Sequence, residues 1–160
     1  MIHHIHNLEY DKDILLLESE YMDYTPYENG YNDGSWFSHA PSWLQGHVKD
    51  EKYGGEVFRV LNNIKTITGV KDIRPRFYKQ KENTEVPMHA DIGTQCSINI
   101  VLSDNAGPIC FEGHGEFTYS CAVLDVTKRH SVPAYPEERI LLKYSIFDYG
   151  YEYVCMKFSM

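Results

Sequence analysis

The spacing of hydrophobic positions changes once along the chain, near residue 70. In "NLEYDKDILLLESEYM" (7–22) Leu8, Ile14, Leu15, Leu17, Tyr21 and Met22 form a helical stripe with acidic residues between them. "DYTPYENGYNDGSW" (23–36) follows, a turn-rich loop marked by Pro, Asn-Gly and Asp-Gly. In "KDEKYGGEVFRVLNNIKTITG" (49–69) Val57, Phe58, Val60, Leu61, Ile64 and Ile67 predict one apolar helix face, with Gly69 placed to end the helix. Beyond it the runs are short, β-branched and aromatic: "KDIRPRFYKQ", "TQCSINIVLS", "GPICFEG", "GEFTYSCAVLDV" and "ERILLKYSIFDYGYEYVCM". Turn residues separate them in "KENTE", "SDNAGP", "GHG" and "PAYPEE". Short strands at this spacing predict an antiparallel sandwich or barrel. The expected architecture is a single domain over 1–160, mainly β with N-terminal helices (α+β). A helical and loop-rich part (1–70) would brace a jelly-roll core (72–160) on one outer face.

A length of 160 residues fits one domain, and a chain of this size can bury a core without disulfides. The net charge of −8 argues against non-specific binding to nucleic acid or to an anionic membrane surface. No apolar run is long enough for a membrane span, and "MIHHIHNLEYDKD" does not read as a secretory signal. Cys96, Cys110, Cys121 and Cys155 form no C-x-x-C pair, and the first three lie in apolar, strand-like sequence. They read as reduced thiols, and the expected location is cytoplasmic.

Candidate chemistry centres on "PMHAD" (87–91). Side chains two apart on a strand share a face, with Cα atoms about 7 Å apart. His89 and Asp91 can therefore reach a common point. His130, in "VTKRHSVPA", lies after several strands, where an antiparallel sandwich can return the chain beside its earlier strand. Two imidazoles and one carboxylate suit Fe(II) with open positions, and the lack of thiolates argues against structural zinc. Arg139 begins the apolar strand "RILLKYSIF", where a buried guanidinium is costly unless it meets an anion such as a carboxylate. The plain alternative is a surface hydrogen-bonded His89–Asp91 pair, a turn-capping His130 and a solvated Arg139.

"HAD" at 89–91, the His130 of "KRHSVPA" and the Arg139 of "ERILLKYSIF" together resemble the Fe(II)- and 2-oxoglutarate-dependent oxygenases, over roughly residues 72–148. The resemblance implies a double-stranded β-helix (jelly-roll, cupin-like) fold. It implies His89, Asp91 and His130 as iron ligands and Arg139 as partner of the distal carboxylate of 2-oxoglutarate. The activity implied couples the oxidative decarboxylation of 2-oxoglutarate by dioxygen to hydroxylation of an amino acid, peptide side chain or small metabolite. Many members carry Ser or Thr two residues after the arginine; Leu141 stands there in this chain. Tyr78 is then the candidate to complete the co-substrate pocket, with Asn99 and Lys143 as further possibilities. The same architecture also serves metal-independent binding or structural modules. A cupin-type metal protein is the other catalytic alternative, but "HADIGTQ" lacks the second histidine of an H-x-H pair.

The remaining candidates have ordinary readings. His3, His4 and His6 read as a frayed terminus, His114 as part of a hairpin turn, and His39 and His47 as loop histidines. Trp36 and Trp43 read as core or lid packing, and the loop at 23–47 as the candidate lid or substrate wall. The basic run Lys71, Arg74, Arg76, Lys79 and Lys81 reads mostly as a solvated face, with Arg76, which shares a strand face with Tyr78, as the candidate to point inward. Glu137 and Glu138 read as turn residues.

Overall fold

The computed structural model describes residues 1–26, 43–48, 51–104 and 107–160. Most of the loop proposed as a substrate wall, with Trp36 and His39, lies outside the described residues. Two antiparallel sheets face each other. The larger takes the order β1 (Ile2–His4), β9 (Cys121–Leu124), β6 (Cys96–Val101), β11 (Arg139–Ile146), β4 (Ile73–Gln80), β3 (Trp43–His47), β2 (Tyr24–Pro26). The smaller takes the order β5 (Val86–His89), β10 (His130–Val132), β7 (Ile109–Phe111), β8 (Gly115–Phe117). Consecutive strands alternate between the sheets through most of this half, which is the jelly-roll arrangement expected from the sequence.

Three helices cover the outer face of the larger sheet: α1 (Lys12–Ser19), α2 (Gly55–Thr68) and α3 (Tyr151–Phe158). Val57, Val60, Leu61 and Ile64 of α2 bury against Phe77, Ile98, Leu142 and Tyr144. The α2 N-terminus starts at Gly54, which has no side chain to cap it. Glu18 of α1 supplies the cap instead, accepting from the N–H groups of Glu56 and Val57 at 3.0 Å each. Gly69 ends α2 at φ 78°, a left-handed conformation that glycine adopts without steric cost. Tyr144 crosses the core to donate from Oη to Val57 O at 2.6 Å, tying α2 to β11.

Alternation along β11 divides the two sides of the larger sheet. Leu142, Tyr144 and Ile146 face the helices, whereas Arg139, Leu141 and Lys143 face the smaller sheet. β9 is buried on both faces: Cys121 and Val123 join the helix-side core, Ala122 and Leu124 the core between the sheets. Pro75 lies inside β4 without breaking it. Its position is paired with Tyr144 on one side and lies beyond the end of the β3 pairing on the other.

Four expectations need correction. The first seventy residues are not only helical, since β1, β2 and β3 all extend the larger sheet. The histidine-rich start is not frayed, because His3 and His4 lie in β1 opposite Val123 and Ala122. The first helix is shorter than its stripe. Asp11 caps it through Ile14 N–H, and only Leu15 of the stripe is buried within it; Ile14 and Leu17 are exposed, as is Tyr21 just beyond its end. The last apolar run is not one strand: β11 stops at Ile146, and Tyr151–Phe158 is helical. There the aromatic alternation of Tyr149, Tyr151 and Tyr153 imitates a strand, while Val154 and Phe158, four apart, are the positions that bury. All four cysteines are free thiols. No helix among the described residues is long and apolar enough to cross a membrane.

Candidate metal centre

β5 and β10 pair so that His89 and His130 stand directly opposite each other. Their rings lie 4.5 Å apart between centroids. Each is fixed by its own strand: His89 Nδ1 is 2.7 Å from Pro87 O, and His130 Nδ1 is 2.7 Å from Lys128 O. A carbonyl oxygen can only accept, so each Nδ1 carries a proton and donates; in a neutral imidazole so held, Nε2 is the acceptor. Asp91 lies two residues beyond His89, just past the end of β5, with its N–H donating to Val126 O at 3.0 Å. Its Oδ1 is 3.4 Å from His89 Nε2 and 3.6 Å from His130 Nε2.

Three acceptor atoms thus converge in a buried place, all within 4.8 Å of one another. Burial pushes the His130 imidazole down to about 4, so it is neutral at pH 7 and its lone pair is available. Among the described residues Asp91 Oδ1 has no hydrogen-bond donor. A buried carboxylate oxygen in that condition is costly. A divalent cation bound by both Nε2 atoms and Oδ1 would satisfy it, and this donor set suits Fe(II). The other oxygen, Oδ2, is 2.9 Å from Lys143 Nζ. Burial alone would raise the Asp91 carboxyl, but the Lys143 charge outweighs it and holds the group well below the usual carboxylate range.

The centre opens on a cavity of about 70 Å³ between the sheets. Arg139 lines it, buried at the start of β11. Its Nη1 donates to Pro108 O at 3.1 Å and its Nη2 to Pro133 O at 3.0 Å. The guanidinium lies over the Tyr135 ring, 4.8 Å from its centroid, and packs closely on Gly107. Two loops therefore hold its tip, while its buried Nε–H has no acceptor among the described residues. Arg139 thus keeps an unused donor, which suits a carboxylate guest.

The five residues expected at the site, His89, Asp91, His130, Arg139 and Tyr78, all line this one cavity. Tyr78 stacks on Trp43 with ring centroids 5.5 Å apart and, with Val86, forms an apolar wall. Leu141 packs on that wall, so apolar contact occupies the position where a hydroxyl was missing. Asn99 faces inward and belongs to a buried chain: Ser97 Oγ donates to Asn99 Oδ1 at 2.9 Å, and Asn99 Nδ2 donates to Tyr119 Oη at 3.1 Å. Lys143 shares the strand face of Arg139 but pairs with the candidate ligand Asp91. Tyr119 was not anticipated. Its signal was a polar tip inside the apolar run "EFTYSCAVL" just before β9. Among the described residues no second cluster of three metal-ligating side chains occurs, so the terminal histidines form none with their neighbours there.

No family model and no curated protein sequence matches the chain. Solved structures do. A prolyl hydroxylase from Trichoplax adhaerens, determined with a hypoxia-inducible-factor oxygen degradation domain peptide fragment, aligns at a TM-score of 0.67 with 10% identity. The alignment covers 92% of this chain and 83% of that one. A 2OG-Fe(II) oxygenase family oxidoreductase from Burkholderia pseudomallei aligns at 0.59 with 12% identity, covering 83% and 76%. A viral collagen prolyl hydroxylase from Paramecium bursaria Chlorella virus-1 aligns at 0.50 with 8% identity, covering 66% and 79%. The likeness is one of fold: this chain has the jelly-roll fold of the 2OG-Fe(II) oxygenases and prolyl hydroxylases.

Proposed function

We propose that the protein is an Fe(II)- and 2-oxoglutarate-dependent oxygenase that hydroxylates a peptide side chain or a small molecule. The observation that carries this reading is the convergence of His89 Nε2, His130 Nε2 and the unpartnered Asp91 Oδ1 at one buried point. A metal-independent jelly-roll module has no use for three buried acceptors aimed at one another. In the proposed enzyme His89, Asp91 and His130 hold the metal. The Pro87 and Lys128 carbonyls fix the tautomer and orientation of the two imidazoles. Arg139 receives the distal carboxylate of 2-oxoglutarate through the donors its loop carbonyls leave unused. Trp43, Tyr78, Val86 and Leu141 form the apolar wall that keeps water from the site.

Bound Fe(II), with 2-oxoglutarate and dioxygen, supplies the oxidising chemistry that yields succinate, carbon dioxide and a hydroxylated product. The peptide held by the Trichoplax prolyl hydroxylase favours a peptide among the substrate classes. An anaerobic titration tests the reading. Fe(II) and 2-oxoglutarate together should give a weak visible charge-transfer band that neither gives alone, and aerobic turnover should release succinate. No band, and no succinate above that of an Asp91→Ala control, would end the proposal.

A further inference from the structure

Lys143 stands on β11 four residues after Arg139 and on the same face. It is in register with Asn99 of β6 on one side and Arg76 of β4 on the other. Its side chain keeps only 14% of its surface exposed. Its ammonium lies 5.8 Å from the centroid of the Tyr78 ring and 2.9 Å from Asp91 Oδ2. A lysine so enclosed is costly unless it meets a carboxylate, and the carboxylate it meets is the candidate metal ligand.

The two oxygens of Asp91 are thereby divided. Oδ1 faces both imidazole Nε2 atoms, and Oδ2 is held by Lys143. The torsion that turns a carboxylate about its Cβ–Cγ bond is soft, with broad wells. Left alone, an aspartate can offer a cation either oxygen, or both. The Nζ contact removes that freedom. We propose that Lys143 is a positioning residue that reserves Oδ2, so that Asp91 presents Oδ1 alone to the metal. This rests on the iron-site reading above and adds to it a residue that touches no metal.

A second effect opposes the first. An ammonium near a divalent cation repels it, so deleting Lys143 would strengthen metal binding if charge were its only contribution. Positioning predicts the reverse, which makes the sign of the change decisive. Partners that orient metal ligands typically contribute ~10–100-fold to metal affinity.

The test uses the full chain and Co(II) as probe, without 2-oxoglutarate. Calorimetry gives the affinity, and the visible ligand-field bands report the coordination. Lys143→Met is expected to bind Co(II) ~10–100-fold more weakly than the parent, with altered bands. Lys143→Arg, which keeps a charged donor, should recover most of the loss. Thermal melts of the metal-free variants establish that each is folded, and Lys143→Gln replaces Lys143→Met if that variant is not. Equal or tighter Co(II) binding in Lys143→Met with unchanged bands overturns the proposal. So does unchanged Co(II) binding when a second titration, of the Co(II)-loaded proteins with 2-oxoglutarate, shows only that affinity reduced, since Lys143 would then serve the co-substrate. If the parent binds no Co(II), the iron-site reading itself fails and this proposal fails with it; if the parent binds and the variants match it, this proposal fails alone.

Discussion

His89 and His130, 41 positions apart in the sequence, are direct cross-strand partners on β5 and β10, and both turn Nε2 toward the same carboxylate oxygen. The pairing sets two of the three groups on the smaller sheet, with Asp91 just past the end of β5, and rigid elements position ligands best. His130→Ala removes one of three converging acceptors and leaves β10 paired with β7 as well as β5. The expected result is a loss of Co(II) affinity beyond the ~10–100-fold of an outer partner, together with loss of succinate formation. Circular dichroism should stay that of the parent. Full metal binding in this variant would show that the three groups do not share an ion.

The same histidine predicts a pH dependence for the metal-free protein. Burial lowers the folded-state value of His130 to about 4, from 6.5. Between those values the unfolded chain takes up a proton that the folded chain refuses. Stability is therefore fully present above pH 6.5 and falls as the pH drops toward 4. A shift of this size corresponds to about 3 kcal/mol. Asp91, held low in the folded state, continues the loss at still lower pH. Denaturant midpoints from pH 7.5 to 4.5 measure the slope. His130→Ala should flatten it, and an equal slope in that variant would assign the effect to other groups.

Asp91→Ala is not a clean removal of a ligand. It leaves the Lys143 ammonium without the carboxylate at 2.9 Å. Breaking a buried pair from one side costs ~3–5 kcal/mol, and the partial exposure of Lys143 brings the expectation to about 1–3 kcal/mol. Asp91→Ala should therefore abolish metal binding and also lower the melting temperature. Adding Lys143→Met should restore part of the stability but none of the binding, so the two changes should be non-additive in a double-mutant cycle. Strict additivity would mean that the pair contributes nothing to the folded state.

The legible parts of this molecule were those that residue type and period encode. "HAD", His130 and Arg139 carry their chemistry in their side chains, and α2 and the β-rich half show their periods directly. Long-range register was not legible. No local feature of "KYSIF" or "HADIG" states that Lys143 reaches Asp91, 52 residues away. Nor does "MIHH" state that it pairs with β9, since a three-residue edge strand has too few positions to show alternation. α3 was hidden because tyrosines at every second position dominate a pattern whose buried residues are four apart. The role of Leu141 was legible only as a missing hydroxyl. That an apolar wall of Trp43, Tyr78 and Val86 takes its place required the fold.

Arg139 gives the last prediction, through a residue that carries no chemistry. The guanidinium rests against the backbone of Gly107, and a Cβ at that position would overlap it. The obstacle is not a flexible side-chain end free to swing aside, because Pro108 O, Pro133 O and the Tyr135 ring hold the guanidinium from three sides. Gly107→Ala must therefore displace Arg139 or the 107–108 segment. Arg139→Ala instead deletes the cation and leaves two carbonyls without their charged donor. Hydrogen bonds to charged groups contribute about 1.5–3 kcal/mol each, so Arg139→Ala should weaken 2-oxoglutarate binding by one to two orders of magnitude and destabilise the loops as well. Arg139→Lys should recover only part, since an ammonium cannot reach both carbonyls and the co-substrate with one fork. Gly107→Ala should raise the KM for 2-oxoglutarate by roughly tenfold, equivalent to about 1.4 kcal/mol, while Co(II) binding at His89, Asp91 and His130 stays at the parent level. Calorimetry with Co(II) and steady-state kinetics with varied 2-oxoglutarate separate the two effects. If Gly107→Ala left the co-substrate dependence unchanged, the Arg139 guanidinium would have to tolerate displacement, and the distal carboxylate would be held elsewhere in the cavity.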